Sequence, residues 1–321
     1  IEQIDRVPSF WPDNQIVRTD LLDYAFEIEW FDLHLQKMLT VLEEKGELNN
    51  TLIFATADNG MPFPRAKGQA YEYSNHLPLA IMWKNGIRNP GRIVDTFVSF
   101  IDFAPTCLEL AGIAPEASGM QPMAGKSLTT LFVSRQGYKD ADRHYVLIGK
   151  ERHDVGRPHD QGYPIRGIRA GDYLYVHNFE TERWPAGDPE TGYLNCDGSP
   201  TKTEVLASRA HPDRKIYWEQ NFGKRPEEEL YDVKHDPDCM ENLAERPEFI
   251  DLKSRLKEQL FSELVKQGDP RMFGNGHIFD EYLYADEQHR HFYEKYIRGE
   301  KLQAGWVNES DVEPDFPNQQ P

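Results

Sequence analysis

The sequence predicts an α/β fold in which helices cover a mostly parallel sheet, followed by a smaller α+β region with a short antiparallel sheet. A long stretch with helical apolar spacing precedes a short apolar run rich in β-branched residues, and further runs of this kind alternate with helical segments. These two observations predict the α/β part. After about Ser134, short strand-like runs separated by turn residues replace the alternation, which predicts the α+β part.

The first predicted element is a helix with one buried face. Apolar residues recur every three to four positions from Thr19 to Lys45, which is the spacing of one helix face. Thr19 or Asp20 can cap the start of this helix, and Gly46 can end it. The next run, from Thr51 to Ala57, is almost continuously apolar, which is typical of a strand that is covered on both faces.

Two more strands and a second helix complete the predicted α/β part. Leu77 to Trp83 and Ile93 to Phe100 are the strand candidates. The helix is expected from Ala104 to Ala111, where Gly112 ends it. Helices that alternate with buried strands lie on the faces of a mostly parallel sheet, which is the arrangement we expect here.

The second half of the chain has a different pattern. Tyr145 to Ile148, Arg166 to Arg169 and Tyr173 to Asn178 are predicted as short strands, and the last two are expected to form a hairpin. Pro, Gly, Asp and Thr dominate between Phe179 and Arg225, which predicts a long ordered loop. A helix with a leucine-rich face is expected from Pro247 onward.

Composition limits the classes of function that the protein can have. The chain carries 36 Lys and Arg against 54 Asp and Glu, a net charge of −18, and 39% of its residues are hydrophobic. This balance predicts a soluble globular protein and disfavours nucleic acid or another long polyanion as a partner. No apolar run approaches the roughly 18 residues that span a bilayer, so no membrane partner is expected. The cysteines form no CxxC pair, which disfavours a zinc ribbon and a disulfide framework.

Asp58 and Asn59 are the first candidate site residues, because they follow a buried strand at the edge where α/β sheets bind ligands. Their oxygen atoms suit Ca²⁺ or Mg²⁺ rather than Zn²⁺. Asp-Asn-Gly is also a common turn, and two ligands fall short of the roughly six to eight that calcium takes. Lys67 is either a solvated surface lysine or a cation that stabilises an anionic group during its transfer.

Several motifs in a fixed order resemble the sulfatase family of the alkaline-phosphatase superfamily. They are Asp58-Asn59-Gly60, Lys67-Gly68, His76-Leu77-Pro78-Leu79, Val98 to Thr106 and, near the C-terminus, Glu229-Leu230-Tyr231-Asp232. Within the family, Asp58 to Pro64 and Arg152-His153-Asp154-Val155 look most like the heparan N-sulfatase (sulfamidase) branch. The resemblance covers most of the chain.

The resemblance implies an alkaline-phosphatase-like sandwich, with residues 1–134 as the C-terminal part of the catalytic domain and 135–321 as an α+β subdomain and tail. It implies Asp58 and Asn59 as ligands of Ca²⁺, or of Mg²⁺, and Lys67 as a catalytic contact to the sulfate. On the substrate side of the pocket it implies His76, His153, Asp154 and Arg166. The two histidines can equally be loop residues, and Arg166 can instead be a structural ion-pair partner.

The nucleophile that the resemblance implies is not in this sequence. Family members use a formylglycine made from Cys or Ser in a Cys-x-Pro-x-Arg motif, and Cys107, Cys196 and Cys239 lack the required neighbours. The family places this motif upstream of the segments matched here. We therefore expect a missing N-terminal part of the same sulfatase as a partner, and no turnover by the 321 residues alone.

For the complete protein, the resemblance implies a sulfatase that removes sulfate from a sulfated saccharide, such as a glycosaminoglycan or algal polysaccharide fragment. The acidic charge balance favours exo action, in which a few local cations hold a chain end. A phosphoester or phosphonate hydrolase of the same superfamily, or a non-catalytic glycan-binding relative, is the alternative. By analogy we expect export: a periplasmic or secreted protein in a bacterium, or a lysosomal one in an animal.

Overall fold

The chain forms two compact units. The computed structural model describes residues 1–135, 137–302 and 304–313. Unit 1 contains Ile1–Ile28, Ala57–Leu77 and the chain from Leu147 onward, and unit 2 contains Glu29–Thr56 and Pro78–Val146. The predicted division of the chain between residues 134 and 135 stays a prediction.

Helices and short strands follow one another in both units. The helices in the described ranges are α1 (Gln15–Glu44), α2 (Glu72–Asn75), α3 (Phe103–Leu110), α4 (Thr129–Val133), α5 (Pro200–Ser208), α6 (Lys215–Phe222), α7 (Ile250–Lys266), α8 (Ile278–Glu281) and α9 (Phe292–Ile297). The strands there are β1 (Ile53–Thr56), β2 (Leu79–Met82), β3 (Tyr145–Lys150), β4 (Ile165–Ala170), β5 (Tyr173–Asn178) and β6 (Glu228–Asp232). None of these helices combines the length and apolar character that crossing a membrane requires.

The sheet of unit 2 consists of β1 and β2. The two strands pair antiparallel, with Ile53 opposite Met82 and Thr56 opposite Leu79. The parallel arrangement expected from the alternation of helices and strands is therefore wrong for this pair. Each residue of β1 is half-buried, so the expected burial on both faces is incomplete in the described part of the chain.

After β2, the predicted strand is absent and the predicted helix is present. Residues 93–100 form no strand. Arg92, which precedes this segment, donates side-chain hydrogen bonds to the carbonyls of Leu131 and Ser134 at the end of α4. Helix α3 then confirms the predicted helix within one residue at each end, and Gly112 follows it with a left-handed φ of +68°.

Helix α1 confirms the predicted helix but not its predicted burial. It begins earlier than expected, because the Asn14 Oδ1 atom accepts from the backbone N–H of Val17 at 3.0 Å and caps the first turn. It ends before Gly46, whose φ is +73°, as predicted. In its second half, Phe31 is 53% exposed and Met38 61% exposed. The apolar period predicts a covered face. Within the described residues that face is exposed at Phe31 and Met38 and half-buried at Leu35 and Leu39.

Unit 1 is built around a four-stranded sheet with the order β3-β4-β5-β6. β4 and β5 form the predicted hairpin, from Ile165 opposite Asn178 to Ala170 opposite Tyr173. Helix α7 packs against β4 and β5 through the leucine-rich face that the sequence predicts. The buried residues of this face are Leu256, Leu260 and Leu264.

The prediction of a long loop over residues 179–225 is wrong in part, because this segment contains α5 and α6. The Ser199 side chain caps α5 by accepting from the backbone N–H of Lys202 at 3.0 Å. Trp218 and Phe222 of α6 lie in a hydrophobic core of unit 1 that also contains Trp11 and Tyr193. The composition of the segment does not predict these helices, because Pro and Gly surround them and they contain few apolar residues.

Candidate functional site

The Asp58-Asn59-Gly60 segment forms a tight bend in unit 1. The Asp58 Oδ1 atom accepts from the backbone N–H of Asn59 at 3.1 Å, and Asn59 Nδ2 donates to the Gly60 carbonyl at 2.7 Å. Both side chains are exposed, whereas Gly60 is buried. A Cβ atom at Gly60 would lie 2.3 Å from the carbonyl oxygen of Tyr73, so the backbone can approach this closely only at glycine.

This bend fits part of a site for a hard cation. With Nδ2 of Asn59 donating to Gly60, the Oδ1 atom remains as the oxygen that the amide can offer, next to the exposed carboxylate of Asp58. Carboxylate and amide oxygens are ligands that Ca²⁺ and Mg²⁺ prefer. Within residues 1–135, 137–302 and 304–313, no group of three or more His, Cys, Asp or Glu side chains could hold a metal ion. The two residues therefore match an oxygen-ligand site without completing one.

Lys67 is held by an acidic partner from a distant part of the chain. Its Nζ atom lies 2.7 Å from each carboxylate oxygen of Asp197. The two side chains are 24% and 30% exposed, so the pair lies at the boundary between the protein and solvent. This geometry places an ammonium group at an accessible position. Asp197 offsets part of its charge, and the remaining N–H donor can contact an anionic group.

His153 lies against the residue that follows Lys67. Gly68 has a left-handed φ of +65°, and a Cβ atom there would lie 2.9 Å from the His153 ring. Burial, together with the ammonium groups of Lys150 and Lys67, lowers the pKa of His153 to about 4. His153 is therefore neutral at pH 7 and can both donate and accept a hydrogen bond without adding charge.

Asp154 brings a carboxyl group to the same region. Burial raises its pKa to about 6, against the effect of hydrogen bonds from the backbone N–H of Val155 and the hydroxyl of Tyr284 and of the charge of Lys67. The Tyr284 hydroxyl lies 3.2 Å from Asp154 Oδ1. At neutral pH the carboxyl group is ionised and can accept hydrogen bonds from sugar hydroxyl or amino groups.

These residues form one group, here called the Lys67 cluster: Lys67, His153, Asp154 and Asp197. His153 lies against Gly68, the residue after Lys67, Asp154 follows His153 in the chain, and Asp197 pairs with Lys67 at 2.7 Å, so the four residues belong to neighbouring segments. The cluster offers a cation, a neutral imidazole and two carboxylates. Such a set can bind a sulfate group through the cation and a saccharide through the hydrogen-bonding groups.

Two buried basic side chains support the loops of the cluster. The Lys150 Nζ atom donates to the carbonyl of Gly68, and the Arg157 guanidinium donates to the carbonyls of Trp184 at 2.8 Å and Pro185 at 3.1 Å. Burial lowers the pKa of Lys150 well below its usual range and that of Arg157 to about 10. Through these hydrogen bonds to backbone carbonyls, the two side chains stabilise the loop that carries Lys67 and the loop of residues 184–197.

The other two predicted substrate contacts have acidic partners of their own. His76 is largely exposed, and its Nδ1 atom lies 2.7 Å from Glu72, whose hydrogen bond raises the pKa of His76. Arg166 pairs with Asp269 at 2.6 Å and also with Glu151. Two carboxylate partners favour the ion-pair interpretation of Arg166. The structure therefore groups Lys67, His153 and Asp154, and gives His76 and Arg166 separate surroundings.

Sequence reasoning missed four residues that shape this site: Asp197, Tyr284, Lys150 and Arg157. The partners of Lys67 and Asp154 are each 130 positions away in the chain, so no local spacing connects them. One signal was available, because Cys196-Asp197-Gly198 has the composition of a turn that exposes its carboxylate. It did not indicate a partner.

Comparison with known proteins gives this arrangement a family context. A family model named Sulfatase matches residues 6–113. An ulvan-active sulfatase of Formosa agariphila is 30% identical over 270 residues, which are 82% of this chain and 41% of that protein. The human N-sulphoglucosamine sulphohydrolase is 26% identical over 285 residues, which are 86% of this chain and 54% of that protein. The chain spans about half the length of these curated relatives.

Solved structures show the same fold. The structure of BT4656 in complex with its substrate D-glucosamine-2-N,6-O-disulfate matches with a TM-score of 0.52 and 23% identity, over 74% of this chain and 39% of that one. The crystal structure of yidJ from Bacteroides fragilis matches with a TM-score of 0.58 and 19% identity, over 88% and 49%. The chain therefore shares the fold of these two structures. Residues 6–113 carry a domain that matches the Sulfatase family model, which confirms the resemblance seen in the motifs of the chain.

Proposed function

We propose that the protein carrying this chain is a sulfatase that hydrolyses a sulfate ester or sulfamate of a saccharide. The Lys67 cluster carries this proposal, because it holds a cation at 2.7 Å from Asp197, beside an imidazole that is neutral at pH 7 and a second carboxylate. Two relatives support the substrate class, since one is named ulvan-active sulfatase and the other N-sulphoglucosamine sulphohydrolase.

Each candidate residue has a role in this proposal. Asp58 and Asn59 supply two oxygen ligands to Ca²⁺, or to Mg²⁺, and a divalent ion so held polarises the oxygens of a sulfate group. Lys67 offsets the negative charge that develops between sulfur and the leaving group. His153 and Asp154 bind the saccharide. His76 contributes at the exposed rim, whereas the ion pairs of Arg166 favour a structural role.

A further polypeptide segment completes the site in this proposal. It brings the formylglycine nucleophile and the remaining metal ligands, and it is the N-terminal part of the same sulfatase. The open apolar face of α1, which includes Phe31 and Met38, supports a covering segment, because apolar surface of this extent is usually buried against protein. Residues 1–134 then belong to the catalytic domain and 135–321 to an α+β subdomain of an exported protein.

The acidic surface supports exo action on a sulfated chain end. With a net charge of −18, the protein repels a long polyanion, while a few local cations can still hold a terminal sulfated sugar. The expected substrate is therefore an oligosaccharide of a glycosaminoglycan or an algal polysaccharide with sulfate on its terminal residue.

Sulfate release by the intact protein tests the proposal. Oligosaccharides with N- or O-sulfate on terminal or internal residues, and matched phosphate esters, are incubated with the protein, and the released anion is measured. Terminal sulfates should react fastest, and Lys67→Met should lower kcat/KM by about 10²-fold. Lys234→Met is the control, because Lys234 pairs with Asp172 on the exposed surface. Equal rates on internal and terminal sulfates would exclude exo action, and preference for phosphate would exclude a sulfatase.

A further inference from the structure

The ion pair between Lys67 and Asp197 fixes the direction of the ammonium group. An ammonium has three N–H donors, and the two carboxylate oxygens of Asp197 lie at the same distance, 2.7 Å, from the Nζ atom. With Nζ seated symmetrically on the carboxylate, the remaining donor capacity of the ammonium faces away from Asp197. A free lysine side chain would instead sample many rotamers along its four-carbon stem.

Asp197 is itself held by contacts on both sides of its backbone. On one side, the buried Lys202 ammonium donates to the carbonyl of Cys196 at 3.0 Å and pairs with the buried Asp311 at 3.1 Å. On the other side, the backbone N–H of Gly198 donates to the carbonyl of Trp306 at 2.6 Å. The carboxylate therefore projects from a fixed part of unit 1, and Lys67 is the more adjustable partner.

We propose that Asp197 is a positioning residue that holds the Lys67 ammonium in the orientation in which it meets the sulfate group. This inference rests on the proposed function. Exposed ion pairs contribute little to stability, so stability alone does not explain a pair with this symmetric geometry and a clamped carboxylate. Misplacing a group that acts on the reacting atoms by about 1 Å can lower a rate by about 10²-fold, so a holder of Lys67 affects catalysis without touching the substrate.

A double-mutant cycle in the intact protein tests the inference. Asp197→Asn should lower kcat/KM for a terminally sulfated saccharide by about tenfold, mainly through kcat, without changing the thermal midpoint. In the Lys67→Met background the same substitution should change kcat/KM by less than about twofold, because the residue that Asp197 positions is already gone. Asp197→Glu keeps the charge but moves it, and should give an intermediate rate.

Glu228→Gln is the matched control, because Glu228 also accepts from lysine side chains at 2.9 Å but lies on β6 and pairs with α7. It should leave kcat/KM unchanged. The inference is overturned if Asp197→Asn reacts like the wild type, or if its loss of rate is as large in the Lys67→Met background. A wild-type protein that releases no sulfate from any substrate overturns the proposed function and this inference with it, which is a different result from an active wild type with an inert Asp197 substitution.

Discussion

Unit 1 and unit 2 differ in how much of their apolar surface they cover by themselves. In unit 1, Trp11, Tyr193 and Phe222 share one core and are almost fully buried. In unit 2, the second half of α1 leaves Phe31 and Met38 more than half exposed. All seven predicted site residues belong to unit 1. The unit that completes its own core is therefore the unit that presents the candidate chemistry.

The two units are alike in how they treat buried charge. In unit 1, Lys202 and Asp311 are fully buried and 3.1 Å apart. In unit 2, Arg143 and Asp102 are almost fully buried and 2.7 Å apart. Both units thus pair buried charges of opposite sign, although the second half of α1 in unit 2 leaves several large apolar side chains exposed. The buried ion pair of unit 2 indicates that its exposed apolar side chains do not result from poor packing of the unit as a whole.

Removing the buried ammonium group of Lys202 in unit 1 should give the largest effect. Lys202→Met leaves the Asp311 carboxylate buried without its partner and three backbone carbonyls without their donor. We expect a loss of about 3–5 kcal/mol in the free energy of unfolding, measured with denaturant. Lys234→Met, which breaks an exposed pair, should change it by no more than about 1 kcal/mol.

A second substitution shows whether the charge or the shape matters in that pair. Adding Asp311→Leu to Lys202→Met removes the unpaired charge, so part of the lost stability should return. If Lys202→Met is no worse than Lys234→Met, the buried pair does not hold unit 1 together and the comparison with unit 2 loses its basis.

The open face of unit 2 gives the next largest expected effect. Phe31 is 53% exposed, so Phe31→Ala in the 321-residue chain should change the free energy of unfolding by less than about 0.5 kcal/mol. In the intact protein the same substitution should cost about 3–5 kcal/mol, because a covering segment buries the ring there. Denaturant unfolding of both proteins measures the two values. Equal values would mean that nothing covers this face.

Local patterns account for the parts of the fold that the sequence predicted. The β4–β5 hairpin follows from two strand-like runs around a short turn at Gly171, and α3 follows from an apolar helix that ends at Gly112. Residues 93–100 have the composition of a strand but form none, and Arg92, which precedes them, donates side-chain hydrogen bonds to the end of α4. Propensity describes what a segment can form, and its tertiary neighbours decide what it does form.

In the candidate site too, the sequence predicts individual residues but not their tertiary partners. Spacing and resemblance together singled out Lys67, His153 and Asp154, which the structure brings close to one another. Asp197 pairs with Lys67, and Tyr284 pairs with Asp154. Each partner lies 130 positions away in the chain, and no periodic pattern in the sequence predicts contacts at that separation. Contacts between residues so far apart in the chain can be identified only once the fold is known.

The pH dependence of activity tests whether Asp154 of unit 1 takes part in the reaction. Burial raises the pKa of Asp154 to about 6, so its carboxyl group becomes protonated below that pH and no longer accepts hydrogen bonds as an anion. We expect kcat/KM of the intact protein to fall as the pH drops below 6, and Asp154→Asn to remove this acid limb while lowering the plateau. Initial rates from pH 4.5 to 8 measure both.

Asp188 is the matched control for this profile, because burial also raises its pKa to about 6 while its carboxylate caps a short helical turn by accepting from the backbone N–H of Glu190. Asp188→Asn should keep the acid limb. If the acid limb persists in Asp154→Asn and disappears in Asp188→Asn, the group that titrates is Asp188. That result would exclude Asp154 from saccharide binding.

The smallest expected effect concerns the ion pairs that join the sheet of unit 1 to α7. Burial raises the pKa of Glu228, but hydrogen bonds from Lys253, Lys257 and Tyr175 outweigh it and lower the pKa from 4.5 to about 2. A depressed carboxyl pKa stabilises the folded state above pH 4.5, and this contribution is lost as the pH falls toward 2. Because the lysines are partly exposed, Glu228→Gln should cost only about 1 kcal/mol at pH 7. Denaturant unfolding at pH 7, 4 and 3 should show the difference from the wild type shrinking with the pH, whereas a constant difference would mean that packing, and not charge, links β6 to α7.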